Sequence, residues 1–132
     1  MIVVDTNVVA GLFLPAAWSA RSEELLATDS DWAAPALWRS ELRNTLATSM
    51  RTNRLDLDAA LRIMETAEAL LSGREFSVDS GSVLRLAAES RCTAYDCEFV
   101  VLAQHLGVRL VTLDRELLEK FPAVSRDLNE VA

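Results

Sequence analysis

Two rhythms of apolar and polar positions run along this 132-residue chain. Short unbroken apolar runs, such as Ile2-Val3-Val4 and Val108 to Leu113, read as buried strands. Stretches with apolar residues three and four apart read as helices. The first run closes at Asp5 and gives way to the turn-prone pair Thr6-Asn7. Helical spacing follows from about Ser19 to Ala27, with Ala20, Leu25 and Leu26 on one side and Glu23 and Glu24 outward. Trp32 to Ala34 predicts a very short second strand, ended by Pro35. A helix from about Ala36 to Arg51 comes next, and another from Asp56 to Leu71. Asp56 and Asp58 at its start and Gly73 past its end are ordinary start and stop signals. Glu75 to Val78 predicts a third strand, and Asp79 or Ser80 caps a helix reaching Glu89. Thr93, with Asp96 three residues on, resembles a capping box that opens a helix running to Gly107. After the late apolar strand come a short helix from Arg115 to Lys120 and an edge strand from Ala123 to Ser125.

Strands that alternate with helices imply right-handed crossovers and parallel pairing. The expected fold is α/β, a single domain over residues 1–132 with a mainly parallel sheet of four to five strands and helices on both faces. No repeat, linker or low-complexity segment interrupts it.

Composition narrows the function classes. Hydrophobic residues make up 51% and charged residues 25%, the balance of a globular protein. No stretch has the length needed to cross a bilayer, and the N-terminal run lacks the basic start of a secretory signal, so the expected setting is cytoplasmic with no membrane partner. Cys92 and Cys97 have neither redox nor zinc spacing and read as reduced thiols in or near the core. His105 is the only histidine, which excludes His-rich metal sites. The net charge of −7 argues against tight, sequence-blind binding of long duplexes.

The chemistry rests on four acids, Asp5, Glu41, Asp96 and Asp114. Asp5 and Asp114 each close an apolar strand, and open α/β sheets bind ligands beyond the carboxyl ends of their strands. Glu41 shares a helix side with Leu37, Trp38, Thr45 and Thr48, so it borders the face turned to the sheet. Asp96 shares its face with Phe99, Val100 and Ala103 on a helix that is apolar nearly all round, where an isolated charge is costly. Carboxylates gathered there repel one another unless a divalent cation joins them. Each also has a plain structural reading. Asp5 caps a turn, Asp114 caps the helix that follows, Asp96 completes the capping box, and Glu41 is a solvated helix residue. Asp56, Asp58 and Asp79 read as caps, and Glu23, Glu24, Glu65 and Glu68 as solvated faces; Glu98 is ambiguous.

The run Ile2-Val3-Val4-Asp5-Thr6-Asn7, the segment Trp38 to Asn44 containing Glu41, the helix-opening Tyr95-Asp96 and the strand Leu110 to Asp114 together resemble the PIN-domain ribonucleases, most closely the short VapC-type toxins of toxin–antitoxin pairs. The resemblance spans essentially the whole chain. It implies a three-layer PIN-like fold and an endoribonuclease that uses Mg²⁺ or Mn²⁺ to hydrolyse RNA. It makes Asp5, Glu41, Asp96 and Asp114 the metal-binding and catalytic acids, with Asn7 and Thr112 in support. Asp5 and Asp96 would be direct ligands; Glu41 and Asp114 would hold a second ion or orient water. It further implies a homodimer and a cognate antitoxin protein whose tail covers the acidic cleft. Cys97, where relatives often carry Ala, is the one departure. The stripe Leu57, Leu61, Ile63, Met64, Leu70 and Leu71 reads either as core or as a partner groove. Arg39, Arg43 and Arg115 near the cleft read either as phosphate contacts or as solvated surface.

Two alternatives stay open. One is a PIN-like domain that binds RNA or protein without catalysis. The other is a phosphatase- or receiver-type phosphoryl-transfer protein, weakened because Asp5-Thr6-Asn7 lacks a second Asp and the only lysine, Lys120, lies in an expected surface helix.

Overall fold

A computed structural model describes residues 1–131. Its strands are β1 (Ile2–Val4), β2 (Trp32–Pro35), β3 (Glu75–Phe76), β4 (Leu110–Thr112) and β5 (Ser125–Asp127). The helices are α1 (Thr6–Ala10), α2 (Ser19–Thr28), α3 (Leu37–Arg51), α4 (Leu57–Leu70), α5 (Ser80–Ser90), α6 (Ala94–Leu106), α7 (Arg115–Lys120) and α8 (Leu128–Val131). All five strands pair in parallel, in the order β3-β2-β1-β4-β5. The result is the expected three-layer α/β arrangement.

The sheet reverses direction at β1. From β1 the chain winds outward through β2 and β3, then crosses back to place β4 on the other side of β1. Val3 pairs with Leu110 and Val4 with Val111, and the Asp5 amide still donates to the Val111 carbonyl at 3.0 Å. Asp5 and Asp114 therefore emerge side by side at the switch point, where this class of sheet opens a crevice.

Helix α6 packs against β1, β2 and β4. Its residues Phe99 to Ala103 are all buried, as the unbroken apolar run requires, and each large one contributes about 1.5–3 kcal/mol by leaving water. Gly107 ends the helix at φ 67°, a left-handed conformation that glycine adopts without a Cβ penalty. Cys92 and Cys97 are buried free thiols.

Several boundaries differ from the sequence reading. Thr6-Asn7 is not a turn but the start of α1, with Asp5 as its N-cap accepting from the Thr6 amide. β3 stops at Phe76 and β4 begins only at Leu110. The last strand is Ser125–Asp127, because the amides of Val124 and Ser125 both turn back to the Phe121 carbonyl, and a four-residue helix follows it. The apolar stripe divides: Leu71 is in the core and Ile63, Met64 and Leu70 are half-buried against it, whereas Leu57 and Leu61 are each 59% exposed.

Candidate functional site

Four elements deliver the four acids to one pocket. Asp5 ends β1, Glu41 lies in the second turn of α3, Asp96 in the first turn of α6, and Asp114 follows β4. With Thr6, Asn7, Trp18, Asn44, Thr45 and Leu113 they line a cavity of about 470 Å³.

Asp5 is the most firmly held. Its Oδ1 accepts from the Thr6 amide at 2.8 Å and its Oδ2 from the Thr112 hydroxyl at 2.7 Å. The same Thr112 oxygen accepts from the Asp114 amide at 3.0 Å. A fully buried hydroxyl thus ties the ends of β1 and β4 together. Glu41 is fixed through Thr6, whose hydroxyl donates to Glu41 Oε1 at 2.7 Å and so links α1 to α3. Asp114 uses Oδ1 to cap α7, accepting from the amides of Glu116 and Leu117. Capping and pocket lining therefore coexist at Asp5 and Asp114. Asp96 sits beside its own cap: its amide donates to Thr93 Oγ1 at 3.1 Å, and the Thr93 side chain also favours its ionised carboxyl.

The electrostatics follow from this crowding. Burial pushes the Asp5 carboxyl above its ordinary range, against its two hydrogen bonds, and the charge of Asp114 adds to the rise. Glu41 is raised by burial and further by the charges of Asp5, Asp96 and Glu98. Asp96 is raised by burial, then by Asp114 and Asp5. Each of these three acids resists ionisation chiefly because it is buried, and neighbouring carboxylates add to the effect.

Two of the three arginines expected near the cleft have other partners. Arg39 is committed elsewhere: it donates to both oxygens of Glu75 and to Glu68, and lies over the Trp38 ring. Glu68 is accordingly an ion-pair partner and not a solvated face. Arg115 pairs with the buried Asp127 at 3.0 Å. Arg43 is exposed and makes no ion pair among the described residues.

A hard divalent cation suits this donor set, which offers carboxylate and hydroxyl oxygens with no histidine or thiolate in the lining. The pocket is not a closed cage: among the described residues, no three His, Cys, Asp or Glu side chains are set to hold an ion. Carboxylates that repel one another stand apart.

Of the supporting residues expected from sequence, Thr112 contacts Asp5 directly. Asn7 lines the pocket through an exposed side chain, and its backbone carbonyl accepts from the Trp18 indole at 2.9 Å. The residue that holds Glu41 is Thr6, which sequence reasoning passed over as part of a turn. Recognising Asp5 as a cap ahead of the apolar Val8-Val9-Ala10 would have placed Thr6 on a helix. Trp18 was also missed, for nothing in its local sequence directs it toward Asp5.

Comparison with known proteins agrees with this picture. The PIN domain family model matches residues 2–123. Ribonuclease VapC3 of Pyrobaculum aerophilum is 30% identical over 126 residues, covering 93% of this chain and 96% of that protein. The crystal structure of PAE2754 from the same organism superposes with a TM-score of 0.76 at 27% identity, covering 97% of this chain and 83% of the other. A toxin–antitoxin complex from Klebsiella pneumoniae contains a chain with the same fold, with a TM-score of 0.73 at 14% identity, covering 99% of this chain and all of that one.

Proposed function

The chain belongs to the PIN-domain family, and on that premise we propose that it is a metal-dependent endoribonuclease, the toxin of a toxin–antitoxin pair, hydrolysing RNA phosphodiester bonds in the cytoplasm. The observation that carries this reading is the convergence of Asp5, Glu41, Asp96 and Asp114, from four separate elements, on one pocket at the sheet's switch point. The relative named as a ribonuclease supports the reaction class.

In this reading Asp5 and Asp96 hold a Mg²⁺ or Mn²⁺ ion, and Glu41 and Asp114 hold a second or orient water. When bound, such an ion supplies Lewis acidity toward the phosphoryl group and makes water acidic enough to attack at neutral pH. The chain supplies the rest. Thr112 and the Thr6 amide fix both oxygens of Asp5, so its direction is set before substrate arrives. Thr6 presents Glu41 with one oxygen engaged, leaving Oε2 to hold a water or its proton. Asp114 keeps Oδ2 for the pocket while Oδ1 caps α7. Asp96 faces the pocket from the first turn of α6, with Thr93 beside it.

An acidic pocket on an acidic protein suits a basic antitoxin segment. The toxin–antitoxin complex of the same fold supports that partner, and exposed Leu57 and Leu61 offer apolar surface to an antitoxin or a second copy in a homodimer. No helix among the described residues is long and apolar enough to cross a membrane. The second reading is a PIN-like domain that binds RNA or protein without cutting.

One set of experiments separates them. RNA cleavage should require Mg²⁺ or Mn²⁺, stop with chelator, and vanish in Asp5→Asn and Asp96→Asn while circular dichroism stays native. Cleavage surviving both substitutions removes the assignment. For the toxin role, expression alone should arrest growth of the native host, and co-expression of a neighbouring antitoxin gene should relieve it. Harmless expression leaves a nuclease without the toxin role.

A further inference from the structure

Glu98, ambiguous in the sequence, has an unusual place in the structure. It is half-buried, yet it makes no hydrogen bond or ion pair among the described residues. It lies two residues past Asp96 but faces elsewhere. With Ala94, one turn back on α6, it lines a second cavity of about 440 Å³. Phe76, Val78, Val83 and Leu84 form the apolar wall of that cavity, and the hydroxyls of Ser77 and Ser80 stand beside them.

The two cavities lie along one edge. All five strands are parallel, so their carboxyl ends share a side of the sheet, where ligands of such folds bind. Asp5 and Asp114 leave that side after β1 and β4; Ala36 follows β2 and Phe76 ends β3. Glu98 stands at the junction, close enough to Glu41 for its charge to act on that carboxyl. β3 is two strands from β1, roughly 10 Å at about 4.8 Å per strand. A strand of RNA held by its phosphate at the four acids therefore brings a neighbouring base to this wall.

The lining specifies which base. An ionised carboxylate only accepts hydrogen bonds, through two oxygens side by side. Its best flat partner presents two adjacent N–H donors. Guanine alone among the four bases does so on its Watson–Crick edge, where N1–H lies beside the N2 amino group. Adenine and cytosine set an amino group beside an acceptor, and uracil sets one N–H between two acceptors. The Phe76 ring and the aliphatic wall suit the purine face, and a serine hydroxyl can donate to O6. Attraction for phosphate falls to the ion proposed for the acidic pocket and to unpaired Arg43. Phosphate contacts position a strand, and contacts to base edges select its sequence.

We propose that this second cavity is a guanine subsite, in which Glu98 reads the base of a nucleotide next to the cleaved bond and Phe76 supports its face. This rests on the ribonuclease reading and adds what selects the cleavage position.

The test uses the full chain with Mn²⁺ and a pool of RNA heptamers randomised at every position. Sequencing of the products should show guanine enriched at one position beside the cut. Inosine at that position lacks only the N2 amino group and should lower kcat/KM about 5- to 150-fold, the discrimination of a bidentate base contact. The 7-deaza analogue of guanosine keeps the Watson–Crick edge and should be cut as guanosine is. Glu98→Gln, close in size, replaces one acceptor with a donor and should bring guanosine down to the inosine rate. Phe76→Leu should raise KM for every base and keep the guanine preference.

Cleavage with no base enriched beside the cut overturns the proposal, as does equal turnover of guanosine and inosine substrates. An inosine penalty that survives in Glu98→Gln does the same. So does conversion of a dimer to a monomer by Leu84→Arg with base preference intact, which would give the cavity to a second copy. If neither metal supports cleavage of any heptamer, the ribonuclease reading falls and anisotropy judges the subsite alone. A guanosine heptamer should then bind more tightly than its inosine counterpart, and equal affinity overturns the assignment.

Discussion

Two clusters of acidic side chains in this protein, built from the same chemical groups, are held in opposite electrostatic states. At the outer edge of the sheet, Glu75 is met by Arg39 through both oxygens and by the Trp38 indole at 2.9 Å, and these contacts hold its carboxyl below the ordinary range. In the pocket at β1 and β4, burial and neighbouring acids push Asp5, Glu41 and Asp96 the other way. The first cluster is complete: its charges are answered within the chain, and it ties β3 to α3 and α4. The second is incomplete in charge though well ordered in hydrogen bonds. A fold that tolerates uncompensated carboxylates in a cavity has stability to recover from whatever cation enters.

Removing one pocket charge should produce the largest contrast. Thr93 is the one hydrogen-bonding side chain that favours the charged Asp96 carboxyl, and it is outweighed by burial and by Asp114 and Asp5, so Asp96→Asn removes more repulsion than attraction. The native pKa of Asp96 is raised, which means that the folded state holds the proton more tightly than the unfolded chain. Stability associated with Asp96 is therefore full below its unfolded pKa and lost as pH rises through the folded one. At neutral pH the substitution should leave the metal-free melting temperature unchanged or higher, while RNA cleavage falls more than about 100-fold, beyond the loss typical of outer-shell changes. A melting temperature several degrees lower would show that Asp96 is structural.

Thr112→Val tests the hydroxyl that joins the two strand ends. It deprives Asp5 Oδ2 of its donor and leaves the amide of half-buried Asp114 without that acceptor. Cleavage should drop about 10- to 100-fold, the usual cost of losing a group that orients a ligand. Stability should fall by about 1–3 kcal/mol. Wild-type turnover in this variant would mean that Asp5 needs no alignment from β4.

Sequence displayed one side of this contrast and hid much of the other. Asp5 and Asp114 were visible because each ends an unbroken apolar run, and parallel pairing brings such ends together. Glu41 and Asp96 were visible as acids on otherwise apolar helix faces. The Thr6–Glu41 bond spans 35 positions and requires α1, whose first two residues look like a turn. The Arg39–Glu75 contact spans 36 positions and depends on β3 lying beside β2. Short elements and pairwise contacts between distant residues leave no periodicity to read. Glu68 therefore passed for solvated surface, and Arg39 for a phosphate contact or solvated surface, when the two are partners.

Divalent ions should sharpen the comparison directly. An ion that binds only the folded chain stabilises it by about 2.7 kcal/mol at a hundredfold excess over its dissociation constant. Mg²⁺ or Mn²⁺ should raise the melting temperature of the wild type, and Asp5→Asn or Asp96→Asn should reduce that rise. Glu75→Gln, in the compensated cluster, should leave it intact. A rise that persists in both pocket variants would place the ion elsewhere.

The smallest effect belongs to the compensated cluster itself. Glu75→Gln keeps an acceptor for the Trp38 indole but loses the charge that Arg39 engages, and should cost about 1–2 kcal/mol, discounted for the partial exposure of the pair. The lowered carboxyl fixes the pH dependence. Stability from Glu75 is full above its unfolded pKa and is lost as pH falls through the folded one. The melting-temperature difference between wild type and Glu75→Gln should thus be constant near neutrality and shrink in acid below the ordinary glutamate range. Cleavage at neutral pH should change less than in any pocket variant, because Glu75 does not line the cavity. If the difference grew on acidification, Glu75 would be protonated in the native state, and the two clusters would share one electrostatic character after all.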